Sequence, residues 1–406
     1  MPTPVSSATT TGGPPPRADL VVVGGGILGT ATAFHAASRG LDVVLLEHGH
    51  RLGGLTTQAS AGGHRLQFDS PEEVALLRES LEAWDHLGDL VGEPGLDLRR
   101  VRNGYLWVTR DPARAASQRT QVDAQRAIGV DAVTWLAGDE ARRSFPFLAP
   151  DVVGARYRAL DGWLDPLIAT RAFADGAIRR GATIAFGTPV TGFEVSAGRV
   201  SAVLTATGRV ECGWAIVAAG PFTGEILALA GVTVPLAARL RQRLYLPAVP
   251  EVPRDAPMTI DEDSGSHWRP EAGGAYVLRP DPDAPVLPAT HDPVAPRAFY
   301  DLLLDPESPV AVARHAPFWR TTWERRSQHW YVTAGQYTYS PDHKPLLGPT
   351  AIPNLGINGG YSGHGIMAAP AGSRVALDAL LGVVAPGSNP FRADRAFAHD
   401  EARGPL

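Results

Sequence analysis

The apolar pattern opens with a short strand over 19–23, Asp19 followed by the apolar run Leu20–Val23. Three glycines follow at 24–26, and then apolar positions at helical spacing as far as residue 39, where Gly40 stops the helix. Residues 41–46 form a second strand, its apolar run Val43–Leu46 as in a strand buried on both faces of a parallel sheet, and Glu47 ends it. The chain therefore begins with a strand–turn–helix–strand unit. A second helix is announced by Ser70-Pro71-Glu72-Glu73, which joins an N-cap serine to a first-turn proline and a capping glutamate. Val74, Leu77, Leu81 and Trp84 share its apolar face. Residues 92–150 keep no clear period apart from a strand over 105–109. Asp165-Pro166 starts another helix that reaches Arg180 and stops at Gly181. From 183 to 219 short strands and turns predict a β-meander and a strand ending at Gly220-Pro221. Residues 235–330 are proline-rich with scattered aromatics and alternate as strands, and after Tyr331 glycine turns lead to a last helix over 371–381.

Together these elements predict an α/β fold with a second β domain. A Rossmann-like dinucleotide domain is assembled from residues 18–91, 151–234 and 331–390. A mixed or antiparallel sheet domain for the substrate comes from 92–150 and 235–330. Residues 1–17, rich in Ser, Thr, Gly and Pro, read as a disordered tail, and 391–406 as a second tail.

Composition narrows the partners. With a formal charge of −5 over 406 residues and no basic block, a nucleic-acid partner lacks its electrostatic footprint. No apolar run reaches membrane-spanning length, and the N-terminal stretch has no signal-peptide core, so the cytoplasm is the expected location. Cys212 is the single cysteine, so no disulfide framework or cysteine-rich metal cluster is expected, and no metal. Lys344 is the single lysine, so any lysine chemistry has to use it. The oligomeric state is left open.

Gly24-Gly25-Gly26-Ile27-Leu28-Gly29 matches GxGxxG between a strand and a helix. Gly24 permits the tight turn, Gly26 lets the backbone approach a pyrophosphate, and Gly29 allows close packing of helix on strand. The helix amides and dipole face the phosphates. Glu47, followed by His48, stands where an acid takes ribose hydroxyls, which favours FAD or NAD over NADP. The fingerprint alone leaves FAD and NAD open.

The rest of the chain resembles the D-amino-acid oxidase superfamily of flavoproteins, nearest its sarcosine oxidase and glycine oxidase branch. The matching text is LVVVGGGILGTATAFHAASRGLDVVLLEHG, TTQASAGGHRLQF, DGWLDP, GATIAFGTPVTGFE with VAAGP, HWRPEAGGAYVL, AGQYTYSPDHKPLLGP and GYSGHGIMAAPAGSR. The resemblance implies a glutathione-reductase-like FAD domain. Thr56, Thr57, Ala61, Gly62 and Gly63 would lie along the flavin and pyrophosphate, and Val190, Ala219 and Gly220 beside the adenosine half. Gly335 would be a further cofactor-binding position. Gly363, His364, Gly365, Ile366 and Met367 would wrap the pyrimidine edge of the flavin, where a helix dipole favours the reduced anion.

The departures are informative. Relatives that attach FAD use a cysteine in the C-terminal third or a histidine in the loop that here reads TTQASAG. Here the only cysteine is Cys212 and the loop position holds Gln58, so non-covalent FAD is expected, with His64 nearby as the one residue arguing otherwise. Glycine and D-amino-acid oxidases place an arginine just after the Gly335 turn, where this chain has Gln336 and Tyr337. Sarcosine oxidases carry a lysine where this chain has Met367, and Lys344 does not match the lysine they hold over the flavin.

A carboxylate on the substrate calls for a fork-shaped arginine. Arg65, next to the flavin loop, is the first candidate and Arg269 the second. Tyr337, Tyr339 and Tyr361 are candidate hydroxyl donors or shields. His64 and His267 are candidate positive charges for oxygen reduction. The expected reaction is oxidation of the C–N bond of an N-substituted amino acid, with oxygen giving peroxide. The rivals are a dehydrogenase of the same fold passing electrons to a quinone or carrier, a flavin-bound partner-binding protein, and an NAD-linked dehydrogenase.

Overall fold

The computed structural model describes residues 13–325 and 329–397. The first strand, β1 (Arg17–Val23), runs into a glycine turn and helix α1 (Ile27–Ala37), and the chain returns as β2 (Val43–Leu46). β1 pairs in parallel with β2 on one side and with the strand Gly208–Val217 on the other. The full sheet has eight strands. Leu346–Pro349, Leu355–Gly359, Gly208–Val217, β1, β2 and Thr183–Ala185 lie side by side, and the meander strands Val190–Ser196 and Arg199–Thr205 extend from Gly208–Val217. β1 and β2 are buried almost throughout because helices cover one face and the meander the other. This is the dinucleotide-binding architecture expected from the sequence, and its central strands end at the glycine turn.

Gly29 shows why the turn needs glycine. A Cβ there would sit 1.8 Å from the Gly24 carbonyl oxygen, so helix and strand could not close on each other. α1 begins at Gly26 with no side-chain cap, which leaves first-turn amides for a ligand.

Farther along, α2 (Thr56–Ala59) and a two-residue strand, β3 (Gly63–His64), precede α3 (Pro71–Asp85), whose Ser70 accepts from the Glu73 amide as expected. The second sheet is also eight-stranded and mixed. Its order is Tyr331–Tyr339, Ala237–Leu246, Gly274–Leu278, His267–Glu271, Met258–Asp261, Tyr105–Thr109, Gly154–Arg158 and Val133–Ala137. The only parallel pair among these described strands is Met258–Asp261 with Tyr105–Thr109.

Several boundaries differ from the sequence reading. Gly154–Arg158 and Tyr331–Tyr339 belong to the second sheet, although segments 151–234 and 331–390 were assigned to the first domain. Strand pairing is non-local, and an alternating pattern does not say which sheet a strand joins. Helix Pro112–Ala127 lies in the stretch without a clear period, because its inner face is Ala115, Gln118, Val122 and Gln125, half of it glutamine. The last helix begins at Gly365, six residues earlier than expected, and carries Pro370 inside it. At the ends, Pro16 accepts from the Glu211 amide and Arg395 pairs with Asp342, so residues 13–17 and 391–397 are packed parts of the fold. Residues 1–12 and 398–406 of the expected tails lie outside the described residues. Among the described residues no helix is long and apolar enough to cross a membrane, and no cluster of His, Cys, Asp or Glu is arranged to hold a metal.

Candidate active site

A long cavity of about 430 Å³ follows the ends of the central strands. One end is walled by Gly24, Gly26, Ile27 and Leu28 with Glu47 and His48, and Val190, Ala219 and Gly220 line the same stretch. The other end is walled by Thr56, Thr57, Gly363, Gly365 and Ile366. The N-termini of α1 and of helix Gly365–Leu380 both meet it, and neither has a side-chain cap. A cleft lined by glycine backbone and by two helix starts is suited to a phosphate and to an anionic ring.

Glu47 is held for its role by backbone alone. Its Oε2 accepts from Gly25 N at 2.6 Å and its Oε1 from Gly49 N at 2.7 Å, which leaves lone pairs for ribose hydroxyls. Thr57 Oγ1 accepts from the Ile27 amide at 3.3 Å, and Thr56 Oγ1 donates to the Gln336 carbonyl at 2.9 Å, so α2 ties the turn to the second sheet. Arg243 secures the same loop, donating to the carbonyls of Gln58 and Ser60. The donors, the glycine cradle and the acid fit a dinucleotide.

A smaller cavity of about 80 Å³ adjoins the first, and the two share Ser60, Tyr337, Ser362 and Gly363. Gly363 has φ +94°, and a Cβ on it would meet the Tyr337 ring at 2.7 Å, so this narrow junction requires glycine. Arg65 lines the small cavity while only 6 % exposed. Its guanidinium lies 4.1 Å over Phe68 and 5.2 Å over Trp107, donates to the Gln67 carbonyl, and approaches His364 Nε2 at 3.4 Å. Among the described residues no carboxylate lies within 4.0 Å of it. Burial pushes it down to about 10, so it is still charged at neutral pH. Asp161 and Asp69 act on it from beyond ion-pair distance, and a buried, charged guanidinium with no carboxylate in contact attracts an anion.

The other expected site residues divide. Tyr337 and Tyr339 line the small cavity. Burial raises Tyr337 to about 12, so it remains a donor. The Tyr339 oxygen accepts from Arg241 Nη2 at 2.7 Å and Nε at 3.1 Å, which leaves its own O–H to donate. Ala61, Gly63, His364 and Met367 also line this cavity rather than the long one.

Gly62 and Gly335 support the site without lining either cavity, and Tyr361 lines the long one without offering it a hydroxyl. Gly62 has φ +71° and a Cβ would lie 2.0 Å from the Leu164 oxygen, and Gly335 packs on α2. Tyr361 borders the long cavity, but its hydroxyl turns into the core and donates to Asn358 Oδ1 at 2.6 Å. Tyr361→Phe is expected to cost about 1–3 kcal/mol of stability, read by thermal denaturation, and to leave the rate of flavin reduction unchanged. A slower reduction at unchanged stability would place that hydroxyl at the substrate instead.

Three expectations are corrected. Arg269 lies outside both cavities. Its guanidinium pairs with Glu271, donates to Ala61 O at 3.0 Å and stacks 4.5 Å from Tyr276, so it is a structural brace and not a carboxylate clamp. His64 also lies outside, accepting from Arg100 Nε at 3.0 Å. Burial first, and Arg100 second, hold it well below its ordinary value. His267 does line the small cavity, but burial lowers it to about 4, so neither histidine supplies a positive charge at neutral pH.

Sequence reasoning missed Trp107 and Tyr105, which wall the small cavity, and Phe222 and His291 at the mouth of the long one. Tyr105 and Trp107 were detectable, being two apart on one face of a strand. His291 sits in a proline-rich loop and carries no local signal.

A glycine-cradled dinucleotide cleft opening onto a small chamber with one buried arginine defines a two-domain flavoprotein oxidoreductase. The chain belongs to the family of FAD dependent oxidoreductases, whose model matches residues 19–379. It is 33% identical over 214 residues to a glycine oxidase of Bacillus licheniformis, an alignment covering 52% of this chain and 56% of that protein. It is 26% identical over 336 residues to the mitochondrial sarcosine dehydrogenase of Homo sapiens, covering 80% of this chain and 35% of that one. The chain thus matches only about half of the first relative's length and about a third of the second's. In fold it is similar to glycine oxidase from Geobacillus kaustophilus, with TM-score 0.80 at 23% identity over 95% of this chain and 100% of that one. It is also similar to L-proline dehydrogenase from P. horikoshii, with TM-score 0.79 at 24% identity over 94% and 96%.

Proposed function

We propose that this protein oxidises the C–N bond of a small N-substituted amino acid, with FAD held non-covalently in the long cavity. The observation that carries the reading is Arg65, a buried cation that makes no ion pair among the described residues and lines a chamber of about 80 Å³ beside the Tyr337–Gly363 junction. One cation suits one carboxylate. Met258, Ile260 and Leu278 also line the chamber, and this apolar lining suits an N-alkyl group better than a second acid.

FAD, when bound, supplies a hydride acceptor that later passes two electrons on. The residues of this chain supply orientation. Arg65 grips the carboxylate by two parallel N–H bonds, Tyr337 and Tyr339 offer O–H donors, and Trp107 and Phe68 keep water from the guanidinium. The reacting amine must be neutral. Loss of hydride from its α-carbon leaves an iminium ion, which water hydrolyses to an amine and a carbonyl compound. Oxygen as acceptor takes the two electrons and two protons to give peroxide.

Non-covalent attachment is supported by Cys212, which lies on a strand away from both cavities with its thiol pushed up to about 12 by burial, and by Gln58, which donates to the Gly54 carbonyl. A carrier or quinone acceptor is the second reading. Lys344 favours it, being ion-paired to Glu72 on α3 outside both cavities.

Anaerobic titration with sarcosine, longer N-alkyl glycines, proline and D-alanine tests the assignment. Bleaching of the flavin by the secondary amino acids is expected. Rapid bleaching by D-alanine with none by the secondary amines would overturn it. A peroxide assay in air then separates oxygen from a carrier. The pH dependence is constrained too. His267→Gln should leave the profile between pH 5 and 8 unchanged, because the lowered His267 is already neutral above about 4. A limb that disappears in this variant would show that the imidazole titrates during catalysis.

A further inference from the structure

Three aromatic rings stand in one stack at the mouth of the long cavity. His48 follows Glu47 at the tip of β2, and Phe222 lies in the turn after Gly208–Val217. His291 enters between them from the second domain. Its ring is 4.1 Å from His48 at 9° and 4.1 Å from Phe222 at 16°, and all three rings border the cavity. His48 and His291 are solvent-exposed along their outer sides. An isolated pair of surface rings has little reason to be held parallel, and three in register need the chain behind them to be fixed.

The backbone behind His291 is fixed from both sides. Leu287 N donates to Ala238 O at 2.9 Å, and Val286 bridges Arg239, which holds the approach to the loop against strand Ala237–Leu246. The next residues are gripped by one side chain. Gln336, 2 % exposed, donates from Nε2 to Pro288 O at 2.8 Å and accepts from Thr290 N on Oε1 at 2.8 Å. A single amide thus satisfies one backbone acceptor and one donor, fixing the loop as a neighbouring strand would. The Gln336 backbone carbonyl meanwhile accepts from Thr56 of α2, on the wall of the same cavity.

We infer that residues 288–291 are a strap that retains the dinucleotide, clamped by Gln336 and closed by the His291 ring between His48 and Phe222. The strap crosses from the substrate domain to the cofactor domain at the end of the cavity bearing Glu47 and Val190, so its ligand is the adenosine half of FAD. Cofactor cannot leave past this end without unstacking His291. Stacking also depends on aromatic shape more than on the imidazole, so phenylalanine serves in its place.

The inference depends on FAD occupying the long cavity and not on the identity of the substrate. The test dilutes yellow holoprotein into FAD-free buffer and follows free flavin fluorescence, with no substrate present. His291→Ala is expected to release FAD about tenfold faster, equivalent to ~1.4 kcal/mol, and His291→Phe at the rate of the unaltered protein. Gln336→Ala should release at least as fast as His291→Ala. Because His291 is exposed, the FAD-free His291→Ala protein should melt with the unaltered FAD-free protein, while its FAD-bound form melts lower. Release from both alanine variants at the unaltered rate would overturn the strap. Equal acceleration in His291→Phe and His291→Ala would overturn the stacking that closes it.

Discussion

Arg65→Ala is expected to lower kcat/KM for a carboxylated amine about 10²- to 10³-fold, the cost of removing one partner from a buried, hydrogen-bonded charge pair. The physical ground is that Arg65 is almost fully buried, stays charged, and among the described residues makes no ion pair within 4.0 Å. Its contacts are a carbonyl, a histidine nitrogen and two aromatic rings, with Asp161 and Asp69 acting on it only from farther away. The proposed substrate supplies the carboxylate that would contact it directly. Arg65→Lys keeps the charge but loses the fork, so it should recover only part of the loss. Stopped-flow reduction of the bound flavin reads the effect directly. An amine of the same size without a carboxylate provides the control, since its reduction rate should change little. If Arg65→Ala reduces as fast as the unaltered protein with a carboxylated amine, the clamp lies elsewhere and the proposed substrate class falls with it.

The second large effect is expected at Asp161, in the turn between strands Gly154–Arg158 and Gly162–Trp163. Its carboxylate is fully buried. Oδ1 accepts from Leu66 N at 3.0 Å and from Arg158 Nη1 at 2.5 Å, and Oδ2 accepts from Gln67 Nε2 at 3.0 Å. Leu66 and Gln67 are the residues just after Arg65, and the Gln67 carbonyl accepts from the Arg65 guanidinium. Asp161 thus holds from the second domain the segment that aims the clamp. Asp161→Ala should cost about 3–5 kcal/mol, because it leaves three donors short of an acceptor and removes a charge from the buried Arg158. Chemical denaturation measures this, and a loss below about 1 kcal/mol would show that the network relaxes around the gap. The same variant should raise KM for a carboxylated substrate, since Arg65 loses its fixed backing.

The His64–Arg65 pair shows how far the sequence could be read. In an extended segment successive side chains face opposite ways. Gly63 and Arg65 line the small cavity, and His64 between them points to Arg100. The alternation was legible once the segment was known to be extended, and it separates the charged candidate from the neutral one. Tyr337 and Tyr339 follow the same rule, two apart on one strand and both facing the chamber, while Gln336, the residue just before them, turns its side chain to the strap. Arg269 was less legible. Its sheet position suits a site residue, and its contacts with Glu271, the Ala61 carbonyl and the Tyr276 ring, settled in the folded chain, remove it from candidacy.

By itself the sequence determined the dinucleotide cleft, because every step there is local. Gly24 must turn with φ +108°, Gly29 must lack a Cβ, and Glu47 must end the second strand, all within 24 residues of chain. Apolar runs and helix starts such as Ser70-Pro71 are likewise written in neighbouring residues. Tertiary structure alone decided which sheet takes Gly154–Arg158 and Tyr331–Tyr339, that Arg65 lines the small cavity while Arg269 pairs with Glu271, and that His291 meets His48 across 243 positions of chain. Those outcomes depend on strand pairing and charge pairing between distant segments, and such energies are fixed only when the segments are brought together. A local pattern cannot encode them.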